Sequence, residues 1–118
     1  MASSAESIVF AALKPLVGGR CYPDVAPAGV TRPYITYQAA GGKSPNYLSG
    51  AVALQNARMQ INTWAADRLT AVALMSSVIA ALTSAPINAT NIGAPVSTFE
   101  ADTKLYGSRL DFSIWFTP

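Results

Sequence analysis

The groups that could do chemistry in this chain are few. Its carboxylates are Glu6, Asp24, Asp67, Glu100, Asp102 and Asp111, its one thiol is Cys21, and it has no histidine. Imidazole is the commonest general base and metal ligand at neutral pH, so its absence removes the usual routes to acid–base catalysis. One thiol without imidazole cannot build a thiolate or imidazole zinc site within one subunit. The acids do not fall into a paired-carboxylate spacing. Glu100 and Asp102 would share a strand face only if one strand reached both, and acids decorating a hairpin end are far commoner. Cys21 would need a neighbouring base to act as a nucleophile, yet Arg20 and Tyr22 flank it, so it reads as a buried structural thiol. Gly18-Gly19 and Gly41-Gly42 lack the following lysine and the strand-to-helix context of a phosphate loop. The expectation is a protein that is not an enzyme, with no metal and no cofactor.

The elements that would carry these residues can be read from periodicity and punctuation. Ser3 or Ser4 caps a first helix over about Ala5 to Lys14, with Glu6 in its first turn complementing the helix dipole and Gly18-Gly19 ending the element. Arg20 to Tyr22 reads as a short strand stopped by Pro23. Pro23 to Pro33 carries three prolines and one glycine, which makes it a fixed loop. Tyr34 to Ala39 alternates as a strand. Lys43 to Gly50 reads as a loop with an embedded Tyr47-Leu48 pair, and Ala51 to Ala65 is the longest strand candidate. Within it Met59, Ile61 and Thr63 lie on one face, and Arg58, Gln60, Asn62 and Trp64 on the other. Asp67 then opens a helix that runs to about Ser84, before Pro86. One of its faces carries Leu69, Val72, Ser76, Ile79 and Thr83, and a second carries Leu74, Val78 and Leu82, which leaves no wide polar face. Such a helix is expected to be covered on more than one side. Pro86 to Pro95 reads as a polar connection, Val96 to Ala101 as a strand and Asp102 to Gly107 as a turn. From Arg109 to Phe116, Leu110, Phe112, Ile114 and Phe116 alternate with Arg109, Asp111, Ser113 and Trp115.

The resulting order, α-β-β-β-α-β-β, places the chain in the α+β class. The expected architecture is one domain over residues 1–118, with an antiparallel sheet of four to five strands and both helices packed on one face. A chain of 118 residues buries about two thirds of its unfolded surface, enough for an ordinary core without a metal or disulfide. A lone cysteine fits a reducing compartment.

Charge is sparse: 12% of residues are charged, about half the usual quarter, while 51% are hydrophobic. A free monomer normally covers itself with charge, so oligomerisation is the natural reading, with a very compact alanine-rich monomer as the alternative. The net charge of +2 comes from scattered cations, and counterion release needs several acting together, which argues against a basic nucleic-acid-binding patch. The apolar stretch from Ala65 to Ala85 is rich in alanine and interrupted by hydroxyl residues, which reads as a soluble, buried helix and not a membrane span. The sheet face away from the helices is expected to show Arg58, Gln60, Asn62, Trp64, Arg109, Asp111 and Trp115. That mixture of polar and aromatic groups is common at interfaces. Candidate partner-contacting residues are Lys43, Tyr47, Leu48, Arg58, Trp64, Arg109 and Trp115, the two tryptophans being either interface anchors or packing within the monomer.

The ordered motifs resemble those of one family. They are the helix closing in Val17-Gly18-Gly19-Arg20, the turn Tyr22-Pro23-Asp24-Val25-Ala26-Pro27, and the strand Pro33-Tyr34-Ile35-Thr36-Tyr37-Gln38. Gln60-Ile61-Asn62-Thr63-Trp64-Ala65 then precedes the long helix, and Leu110-Asp111-Phe112-Ser113-Ile114-Trp115-Phe116 closes the chain. In order and spacing the chain resembles the tail completion, or tail terminator, proteins of long-tailed bacteriophages. The resemblance implies a virion tail protein, assembled in the host cytoplasm, that forms a ring, commonly a hexamer, on the end of the tail tube. Such a ring stops tube polymerisation and joins the head connector, so the implied partners are copies of the chain, the tail tube protein and a head connector or stopper protein. No sequence-specific nucleic acid and no membrane are implied. The family brings no catalytic residues, only the scaffold positions Tyr22, Pro23, Pro33, Tyr34, Gln60 and Trp64. The alanine-rich Ala51 to Ala57 stretch departs from its pattern.

Two further readings compete. A head-side connector or stopper subunit would have the same length and composition. A small regulatory or ligand-binding domain would instead be a stable monomer with a pocket lined by Trp64 or Trp115. The Lys43 to Gly50 loop is expected to face the tube or a neighbouring subunit.

Overall fold

The structure, a computed structural model, describes residues 4–43 and 54–117. The expected loop contacts of Tyr47 and Leu48, and the start of the Ala51 to Ala65 strand, therefore lie outside the described residues. The elements are α1 (Ala5–Leu13), a 3-10 turn (Lys14–Val17), β1 (Cys21–Pro23), β2 (Tyr34–Ala39), β3 (Gln55–Ala65), α2 (Arg68–Thr83), β4 (Thr90–Glu100) and β5 (Leu105–Phe116).

Ser4 opens α1 through a capping box, its Oγ accepting from the Ser7 N–H at 3.0 Å while Ser7 Oγ accepts from the Ser4 N–H at 3.0 Å. Pro15 cannot continue the helical ladder, and the chain tightens into the 3-10 turn that Gly18 closes in the left-handed region. Asp67 caps α2: its Oδ1 accepts from the Thr70 N–H at 2.8 Å and its Oδ2 from the Thr70 hydroxyl at 2.9 Å. Only two residues, Ala66 and Asp67, separate β3 from α2, so this cap fixes the angle at which the helix leaves the sheet.

Five strands form one sheet in the order β1-β2-β3-β5-β4. The α+β class and the element order are as expected, but the sheet is mixed. β1 runs parallel to β2, with Cys21 opposite Ile35, and the remaining pairs are antiparallel. A parallel neighbour needs a crossover long enough to return the chain to the same end. The proline-stiffened stretch from Asp24 to Pro33, expected only as a loop, makes that return.

Two strand boundaries differ from expectation. β4 begins at Thr90, well inside the expected Pro86 to Pro95 connection, and its register with β5 shifts between Ile92 and Val96. A bulge on an edge strand accommodates Gly93 and Pro95, which would be out of place in a central strand. β5 begins at Leu105, so the turn is confined to Ala101 through Lys104.

Both helices lie on one face of the sheet and share its core. From the sheet come Ile35, Tyr37, Met59, Ile61, Leu110, Phe112 and Ile114. From the helical layer come Val9, Leu13, Val17, Leu74, Met75, Val78 and Leu82. Each fully buried large side chain contributes about 1.5–3 kcal/mol relative to exposure, which makes this face the dominant stabilising contact. Two polar ties position α2 on it. The buried Thr63 hydroxyl donates to the Ala71 carbonyl at 2.9 Å. Arg68 donates to the Gly107 carbonyl at 2.6 Å and the Thr98 carbonyl at 3.0 Å, its guanidinium 5.1 Å from the Tyr106 ring centre. Helix α2 buries one side only: Leu69 is 81% and Val72 45% exposed in the isolated chain.

The backbone hydrogen bond from Thr70, then the one from its hydroxyl, hold the Asp67 carboxyl below its ordinary value of 3.8. A depressed folded value stabilises the fold at pH above 3.8 and loses that contribution as pH falls through the lower folded value. Asp67→Ala is therefore expected to melt below the wild type at neutral pH, with the gap closing under acid. A gap that stays constant from pH 7 to pH 2.5 would contradict the cap.

Candidate functional site

The alternation of β3 and β5 decides what the outer face of the sheet displays. Register places Arg58 opposite Ser113, Gln60 opposite Asp111, Asn62 opposite Arg109 and Trp64 opposite Gly107. All these side chains point away from the helices, as expected. Arg58 Nε donates to Asp111 Oδ2 at 2.7 Å, with Arg58 47% and Asp111 13% exposed. A pair this accessible contributes at most about 1 kcal/mol and orders the face more than it stabilises it.

Three hollows run along this face. At one end, Lys43, Asn56, Arg58, Ile92 and Trp115 border a depression of about 640 Å³. In the middle, Arg58, Gln60, Arg109 and Asp111 border a second, of about 350 Å³. At the far end the segment from Asp24 to Arg32 stands over Tyr34, Thr36, Asn62, Trp64 and Leu105, and encloses a groove of about 380 Å³. The structure thus brings Lys43, Arg58 and Trp115 to one hollow, puts Arg109 beside them, and sets Trp64 apart.

The two tryptophans have different roles. Trp64 Nε1 donates to Thr36 Oγ1 at 3.1 Å and its ring lies over Gly107, so it packs within the monomer. A Cβ on Gly107 would come within 3.0 Å of the Trp64 ring and closer still to the Thr98 hydroxyl, which is buried without a hydrogen-bond partner among the described residues. The glycine sits mid-strand because an aromatic ring occupies its side-chain space, not because a turn demands it. Trp115 is 46% exposed and is the aromatic group this face offers to a partner.

Sequence reasoning missed the groove. Thr36 and Leu105 are buried on the outer face beneath the crossover, and nothing in their own alternation marks them. Glu100 also lines it, and burial, then the Glu100 carboxylate, raise the Tyr34 phenol above its usual value. The proline-rich composition of Pro23 to Pro33 was the available signal that this segment is fixed in place.

Cys21 is buried, and burial pushes its thiol up to about 11, which leaves almost no thiolate at neutral pH. Among the described residues no cluster of three or more acidic, cysteine or histidine side chains could hold a metal ion. No described helix is long and apolar enough to cross a membrane. What this face can do chemically is recognise: it offers two arginines, amide side chains, one exposed indole and shaped hollows.

The profile of the family described as tail completion protein gp17 matches residues 9–117. The chain belongs to the tail completion protein gp17 family. It is a structural protein of the bacteriophage virion, and its place is the tail. Among solved structures, a chain from the virion of a native gene transfer agent particle is similar in fold. The TM-score is 0.64 at 18% identity, covering 95% of this chain and 93% of that one. A search of curated protein sequences gave no match.

Gly107→Ala is expected to cost about 1–3 kcal/mol by overpacking and to displace Trp64. Thermal unfolding and indole emission in a Trp115→Phe background measure both. Unchanged melting and emission would contradict the packing of Trp64 on Gly107.

Proposed function

We propose that this tail completion protein forms a ring, of six subunits, that seats on the end of the finished tail tube, stops tube growth and presents the surface that joins the head. The observation that carries this reading is the family match over residues 9–117, which leaves almost no part of the chain outside a tail completion domain. The likeness to a chain of a gene transfer agent virion, extending over nearly all of both chains, supports it. The work is non-enzymatic. Its physical content is surface complementarity, and the outer face with Arg58, Arg109 and Trp115 is the part that meets the tube or the head-side partner. An exposed indole beside an ordered arginine is the kind of anchor that dominates such contacts.

Negative-stain imaging and native mass measurement of the purified protein, alone and with tail tubes, test the reading. Rings of six, or tubes capped at one end, are expected. A protein that stays monomeric in both conditions would overturn it. Trp115→Ala and Arg58→Ala should leave ring mass unchanged and lower the yield of joined particles about tenfold or more. Wild-type joining by both variants would remove the outer face from that role.

A further inference from the structure

All fourteen charged residues lie outside one stretch: from Leu69 to Phe99 the chain runs 31 residues without an Asp, Glu, Lys or Arg. At ordinary composition about a quarter of them would be charged. The stretch contains nearly all of α2 and β4, and these form one side of the molecule. Arg68, at the start of α2, reaches the Thr98 carbonyl of β4. Val72, Ser76 and Thr83 follow Arg68 at helical spacing on that same side of the helix. β4 is the open edge of the sheet and is exposed along most of its length. Among the described residues, three of the seven large apolar side chains left exposed (Leu69, Val72 and Phe99) belong to this flank, while Val96, opposite Arg109, borders the outer face. The hydroxyls on the helix side are already satisfied, since Ser76 donates to the Val72 carbonyl and Thr83 to the Ile79 carbonyl. Covering that side of α2 would strand neither of them.

We infer that this uncharged flank, the exposed side of α2 with the β4 edge, is the permanent contact with a neighbouring copy of the chain. This rests on the ring reading and assigns its surface. The occupant follows from charge and size. A surface that waits in solution for a tube or a connector must stay soluble meanwhile, and the outer face keeps its arginines and Asp111 for that. A contact made at subunit assembly and never opened can dispense with charge, as permanent interfaces do. The sixteen residues of α2 and eleven of β4 span about 24 and 37 Å. With each layer presenting a width of about 10 Å, the two together give a strip of roughly 600 Å², near the ~800 Å² per partner of a standard stable interface. A ring needs a different, complementary surface on the neighbour. Leu16 and Val25, exposed near the β1 end of the sheet, supply apolar groups on the opposite side.

Ser76→Glu and Ser97→Glu place single charges on this flank at positions already exposed, and Val72→Glu provides a third. Gln38→Glu on the outer face is the control. Sedimentation equilibrium with circular dichroism is the measurement. Each flank variant should keep the wild-type spectrum and weaken self-association about a hundredfold, as a buried unpaired charge does, while Gln38→Glu assembles normally. If the folded flank variants assemble like the wild type, the flank assignment is wrong and the ring reading stands. If the wild type never assembles, with or without tubes, both fall.

Discussion

The pairing of β3 with β5 is the constraint on which the rest of the structure depends. Eleven residue pairs run in unbroken antiparallel register from Gln55 opposite Phe116 to Ala65 opposite Tyr106. Side chains alternate across a strand with a period of two, so this register puts Met59, Ile61, Phe112 and Ile114 under the helices and Arg58, Gln60, Asp111 and Arg109 on the far side. A slip of one residue between the two strands would turn one of them over, burying its arginine and exposing its apolar set. The same register aligns Trp64 with Gly107 and directs the end of β3 into the Asp67 cap, so the path of α2 follows from it as well.

The sequence made the central elements legible because their signals are local. Asp67 at the helix start, the clean alternation from Arg109 to Phe116 and the Tyr34 to Ala39 run each carry their own periodicity or cap. What was not legible depends on contacts between distant residues. The parallel pairing of β1 follows from where the crossover lands. The early start of β4 was hidden because Gly93 and Pro95 read as connection, and only an edge position with a bulge tolerates them. Gly107 read as a turn, while a ring from β3 explains it. Of the candidate interface residues, Arg58, Arg109 and Trp115 are displayed as alternation requires. Trp64 has the right parity but is held inside the monomer by Thr36. Leu105 and Thr36 could not be found, because the loop that buries them lies elsewhere in the chain.

The two sides of the molecule solve different physical problems. The outer face keeps ordered charge, amides and one exposed indole, which suits a surface that must remain soluble until its partner arrives. The α2–β4 flank has no charge, and its helix satisfies the Ser76 and Thr83 hydroxyls internally, which suits a surface covered from assembly onward. In the ring proposed for this tail completion protein, the first side faces the tail or head and the second faces the next subunit. The uncharged flank then accounts for a large part of the charge-poor composition.

Hydrogen exchange of β4 tests this division of surfaces most directly. The outward amides from Val96 to Glu100 have no partner strand in the isolated chain, since β4 is the sheet edge. These amides are expected to exchange rapidly in the chain diluted below self-association and at least tenfold more slowly in the tail-bound chain. Equal rates in the two states would mean that the edge stays open in the virion, and would contradict the account.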